Sequence, residues 1–202
     1  MVETGSLEVL NILANASATI AEGEVLQLTA SRDISTDEEI YLKVIRGKTA
    51  ALFSAATQVG AVISDSEETI INALYEYGDA LGVAFQIVDD LLDVAGDSKI
   101  IGKNNGDDFR ERKLTLPFIK AISSCNQNEK DFWKRTIEKG DQTSEDFNTA
   151  LKLMQKYEAI ERTRMDALKW AQTAKNSLDA VPDNDIKIIL TNLADYVVDR
   201  VK

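Results

Sequence analysis

Proline is nearly absent from this chain: Pro117 and Pro182 are the only two in 202 residues. Proline removes a backbone donor and clashes with the preceding helical turn, so its scarcity leaves room for long unbroken helices. The apolar residues agree. From Ser6 to about Ala30, the residues Leu7, Leu10, Leu13, Ala14, Ala18, Ala21, Val25 and Leu28 recur at steps of three and four. That spacing traces one face of a helix. Ala14, Ala16, Ala18, Ala21 and Gly23 keep this helix slim enough for another to approach closely. With 44% hydrophobic residues spread over long uninterrupted segments, the expectation is an all-α fold.

The remaining helices follow from caps and periodicity. Thr36 with Glu39 forms a capping-box pair after the break SRDIST, predicting a helix from about Asp37 to Ile63. Gly47 interrupts it, and a mid-helix glycine usually has a packing or ligand reason. Asp65 with Glu68 predicts the start of a third helix, running to about Val94. Its second half, GVAFQIV, is apolar almost all round and should be buried. The polar stretch GDSKIIGKNNGDDFRERK reads as a long loop. A helix resumes from Leu114 to Ser123 with Pro117 in its first turn. Further helices are expected near 128–139, 144–179 and 184–200. Without a linker or an internal repeat, residues 1–202 read as one domain.

Composition excludes several chemistries. Histidine is absent and Cys125 is the only cysteine. This removes a disulfide framework, His- or Cys-based metal sites, and imidazole acid–base or nucleophile pairs. Lys and Arg total 23 against 34 Asp and Glu, a net charge of -11 that argues against nucleic-acid and anionic-lipid partners. An anionic ligand would need metal ions or a local basic cluster to hold it. No apolar run approaches the ~20 residues of a membrane span. The amino terminus lacks a basic region followed by an apolar stretch, so a cytoplasmic location is expected.

The sharpest motif is FQIVDDLLD. It sets Gln86, Asp89, Asp90 and Asp93 on one or two helical turns, with Asp89 and Asp93 as i,i+4 neighbours. Like charges at that spacing repel. Anions near a helix carboxyl end oppose its dipole. Apolar neighbours add a desolvation cost. A divalent cation relieves all three, and an oxygen-only ligand set favours Mg²⁺ or Ca²⁺. Three carboxylates are expected to converge there. Taken alone, the motif also fits an acidic helix end facing solvent. The loop beyond it interleaves Lys99, Lys103, Arg110, Arg112 and Lys113 with acidic residues, and Gly102 and Gly106 would admit close backbone approach. Upstream, Lys48 and Thr49 lie in RGKTA. This is not a phosphate-binding GxxxxGK[ST] loop, because position 42 is Leu42. Lys48 is either a helix-surface lysine or an anion ligand beside a helix-breaking glycine.

In these residues the sequence resembles the all-trans polyprenyl diphosphate synthase family, long-chain octaprenyl type. GKTAALF is followed in order by GVAFQIVDDLLDVAGD, by Gly102-Lys103, and by Asp108 with Lys113-Leu-Thr-Leu-Pro. EGEVLQL at 22–28 resembles the family's preceding helix. The resemblance implies the isoprenoid synthase helical fold without its N-terminal helices, since it reaches about the carboxyl-terminal three-fifths of the family's length. It implies that Asp89, Asp90 and Asp93 bind Mg²⁺, and that Lys48, Thr49, Gln86, Lys103 and Lys113 hold an allylic diphosphate. Lys48, Asp89 and Lys103 are the implied catalytic groups, and Asp108 matches an aspartate near the loop lysines. The implied reaction condenses isopentenyl diphosphate with the allylic diphosphate, and needs no histidine.

The departures are specific. The family's first aspartate-rich motif, the arginine pair after it and the upstream Gly-Lys-Arg segment are absent, and Asp107 and Arg112 stand where small residues are more usual. Two expectations follow: a truncated chain that is weak or inactive alone, or a non-catalytic helical subunit of a longer homologue. Either would form a homodimer or a complex with that homologue. Val83, Phe85, Ile87 and Leu91 are expected to be left facing solvent or a partner.

Overall fold

The computed structural model describes residues 2–95 and 105–201. After a short turn at Val2–Thr4, the helices are α1 (Leu7–Ala30), α2 (Glu38–Ile45), α3 (Ala51–Ile63), α4 (Glu68–Ala95), α5 (Asp107–Arg110), α6 (Leu116–Ser124), α7 (Gln127–Trp133), α8 (Asp146–Lys156), α9 (Ala159–Ser177) and α10 (Asp185–Asp199). Among the described residues there is no strand. The all-α expectation holds.

α4 is the axis of the bundle. α3 and α9 pack along it from two sides. Gly78 and Gly82 let α3 and the residue just before it come close: a Cβ at Gly78 would fall 2.6 Å from the Ser54 Cα, and one at Gly82 would fall 2.6 Å from the Ala50 Cα. Val83, Ile87 and Leu91 are at most 2% exposed and Phe85 is half-buried. These residues therefore do not face solvent as expected; α3, α9 and the other core helices already cover them. Each such burial contributes about 1.5–3 kcal/mol.

α2 and α3 form one rod joined by a π turn, Arg46–Ala50. The predicted interruption at Gly47 is this wider turn rather than a break. α1 lies on it through backbone contact: a Cβ at Gly23 would come 2.5 Å from the Lys48 amide nitrogen. Val9, Ala16 and Gly23, seven residues apart, are the buried line of α1.

Three boundaries differ from expectation. Asp37, not Thr36, caps α2, its side chain accepting from the Ile40 N–H at 2.9 Å. The Thr36 hydroxyl is used elsewhere, donating to the Ala30 carbonyl. Asp65 sits in a left-handed turn (φ 51) ahead of α4 and is not its cap. The segment 144–179 is two helices, α8 and α9, broken where Glu158 turns left-handed (φ 52).

Candidate functional site

A cleft of ≈ 220 Å³ lies between α1, α2, the π turn, α4 and the segment leading into α6. Lys48, Gln86, Asp89, Asp90, Asp108 and Lys113 all face it. The elements explain the gathering. The π turn directs Lys48 toward α1, where its Nζ donates to Gln27 Oε1 at 2.8 Å and lies 3.4 Å from Glu24. Thr49, next along the turn, points to α4 and donates to Gln86 Oε1 at 2.8 Å.

The three motif aspartates take different surroundings. Asp90, one residue and thus about 100° around the helix from Asp89, turns into the bundle and is 4% exposed. It accepts from the Tyr41 hydroxyl at 2.6 Å and from Gln86 Nε2 at 2.9 Å. Burial pushes its carboxyl up to about 8, against the opposing pull of those two donors. Asp93 is half-buried and accepts from the backbone N–H groups of Asp107 at 3.0 Å and Asp108 at 3.3 Å. Burial raises its proton affinity as well. Its carbonyl accepts from Gly106, whose φ of 87 shapes the tight turn into α5. Asp89 is exposed and makes no hydrogen bond or ion pair among the described residues. The expected convergence of three carboxylates is therefore not found: among the described residues no three acidic side chains are gathered closely enough to hold a metal.

Asp108 joins the group from the other side. Burial and the Asp93 charge raise it to about 6, while Lys113 at 3.7 Å pulls the other way. Lys113 also pairs with Glu111 at 2.5 Å. These residues fit Mg²⁺ by donor chemistry: all are oxygens, and the carboxylates around the cleft outnumber the cations beside them. Mg²⁺ needs only one or two carboxylates, with water and phosphate completing its shell. Asp90 and Asp93 accept hydrogen bonds from neighbouring groups, and Asp89 carries none among the described residues.

Lys103, Lys99 and Gly102 lie outside the described residues. The structure adds Gln27, Tyr41 and Thr115 to the cleft. No sequence signal singles out Tyr41; the fold brings its hydroxyl to Asp90, forty-nine positions on. Arg112, flagged by sequence as an unusual residue there, has φ 59, a conformation that favours glycine.

Fold and cleft together define a class: an all-α protein of the isoprenoid synthase fold, with acidic and basic side chains facing one cleft. The chain belongs to the polyprenyl synthetase family, whose sequence profile matches residues 1–154. It is 38% identical over 200 residues to the octaprenyl diphosphate synthase of Escherichia coli, covering 99% of this chain and 62% of that one. The crystal structure of a decaprenyl diphosphate synthase from Rhodobacter capsulatus superposes with a TM-score of 0.96 at 58% identity, covering 100% of this chain and 62% of the other. A polyprenyl synthase from Caulobacter crescentus, solved with calcium and isoprenyl diphosphate, matches at TM-score 0.93 and 45% identity, covering 98% of this chain and 60% of that one. The chain thus spans about three-fifths of the length of these relatives. Among the described residues no helix is long and apolar enough to cross a membrane.

Proposed function

We propose that this chain carries the allylic-diphosphate half of a polyprenyl diphosphate synthase, the enzyme that joins isopentenyl diphosphate to an allylic diphosphate to make an all-trans polyprenyl diphosphate. The observation that carries the reading is the meeting of Lys48, Gln86, Asp89, Asp108 and Lys113 around one cleft. Family membership and the diphosphate-bound relative support it. Asp89 would hold Mg²⁺, which supplies charge neutralisation of the departing diphosphate. Lys48 and Lys113 place fixed positive charge where that negative charge grows, the electrostatic part of the catalysis. Lys103 is assigned the same role. Asp90 anchors Gln86, and Gln86 fixes Thr49, so this chain of hydrogen bonds sets the wall against which the diphosphate lies.

The chain carries one aspartate-rich motif, and so binding without turnover is expected of these 202 residues alone. Calorimetry should detect inorganic pyrophosphate binding in the presence of MgCl₂. Asp89→Asn should weaken it by about tenfold or more, the usual order for loss of a metal-holding carboxylate or its support. Equal affinity in the variant would remove the reading. Labelled isopentenyl diphosphate incorporated by the chain alone and lost in Asp89→Asn would overturn the expectation of no turnover.

A partner is also proposed: a second copy of the chain, or a longer homologue, seated on α1. Leu7, Val25 and Leu28 are 81%, 62% and 77% exposed on that helix. They lie away from its buried line.

A further inference from the structure

Four hydroxyl side chains line the cleft: Ser31, Thr36, Tyr41 and Thr115. Three are committed. Ser31 donates to the Gln27 carbonyl at 2.7 Å, Thr36 to the Ala30 carbonyl at 2.9 Å, and Tyr41 to Asp90 at 2.6 Å. Thr115 Oγ1 is buried and has no hydrogen-bond partner among the described residues, although the residue is only 6% exposed. A buried hydroxyl left unpaired is costly, so native structures rarely keep one without a use.

The local sequence removes one of the two N–H groups this hydroxyl could ordinarily use. Thr115 is the N-cap of α6, with extended backbone (φ -90, ψ 167). A capping threonine ordinarily accepts from the N–H two or three residues on. The second residue here is Pro117, which has no N–H; the third, Phe118, keeps its N–H, yet the side-chain cap bond is not made. The Thr115 carbonyl accepts from Ile119 N at 3.1 Å, the usual first bond of a helix. The amino-terminal end of this nine-residue helix carries partial positive charge that favours an anion. Lys113 stands two residues before the cap and faces the same cleft.

We propose that Thr115 is a further diphosphate-binding residue, its Oγ1–H donating to a diphosphate oxygen seated at the amino-terminal end of α6 beside Lys113. This rests on the diphosphate reading above and adds a ligand that the motif aspartates and lysines do not include. Valine keeps the shape of threonine and removes only the hydroxyl, and serine keeps the hydroxyl.

Binding of inorganic pyrophosphate with MgCl₂ to the 202-residue chain is the test, read by calorimetry beside a thermal melt without ligand. Thr115→Val should raise Kd by about tenfold, the order expected for one charge-assisted hydrogen bond. It should leave the melting temperature unchanged or higher, because the hydroxyl supports nothing in the unliganded chain. Thr115→Ser should restore the affinity. An unchanged Kd in the valine variant, or an equal loss in the serine variant, would overturn the proposal while leaving the diphosphate reading intact. Absence of binding by the unmodified chain would overturn both.

Discussion

At the scale of single residues, the carboxylates around the cleft make stability depend on pH in an unusual direction. An acid whose proton is held more tightly in the folded chain than in the unfolded one binds more protons when folded, so stability falls as pH rises between the two values. For Asp90 the interval runs from 3.8 to about 8, and for Asp108 from 3.8 to about 6, with burial the main cause in both. Asp146 and Glu129 act the opposite way. The Arg135 ion pair lowers Asp146 to about 2, and hydrogen bonds from Lys156 and Tyr157 lower Glu129 to about 2. Their stabilisation is complete above their unfolded values and is lost only as pH falls below about 4. The melting temperature of the unliganded chain should therefore rise as pH is lowered from about 9 to about 6, then fall in strong acid. A melting temperature that stays level over the upper interval would contradict the burial of Asp90. Excess Mg²⁺ with pyrophosphate should flatten the upper part of the curve, because a bound cation favours the ionised carboxylates.

At the scale of elements, close helix contact at glycine is the feature most open to test. Gly78→Ala adds a helix-favouring methyl, yet its Cβ would meet backbone, 2.6 Å from the Ser54 Cα and 2.7 Å from the Phe53 carbonyl oxygen. Backbone cannot turn aside as a flexible side chain can. Overpacking should win, lowering stability by about 1–3 kcal/mol in urea unfolding; a stabilised variant would show that α3 can move away from α4. Much at this scale was legible in sequence. Ser6 caps α1, accepting from Val9 N at 3.2 Å, and the 3.6-residue rhythm placed α4 and α10 within a few residues. Other features left no readable trace. The break at Glu158 carries neither glycine nor proline, and an ordinary glutamate at φ 52 cannot be told from a helical one by pattern. In the site, DDLLD was plain, but the separate fates of its aspartates were not. Tyr41, forty-nine positions before Asp90, donates to that aspartate, while backbone N–H groups of Asp107 and Asp108 hold Asp93.

For the whole molecule, the apolar surface lies elsewhere than expected. The central helix is covered, and α1 instead presents Leu7, Val25 and Leu28 on the outside. This surface is the one on which a partner is proposed above. Sedimentation should give a dimer, and Val25→Asp should shift it to monomer; a monomer in the unmodified chain would end the dimer proposal. The π turn at Arg46–Ala50 has a consequence of another kind. A π turn closes over five residues where an α turn closes over four. Loss of one residue there would let the rod from Glu38 to Ile63 run on as plain α-helix, with α3 still in register against α4. Lys48 and Thr49 would then no longer look toward α1 and α4 at once. The corner formed by Lys48 and Thr49 is thus separable from the scaffold, and a single deletion should yield a stable bundle whose cleft keeps its α4 and α6 walls but loses that corner.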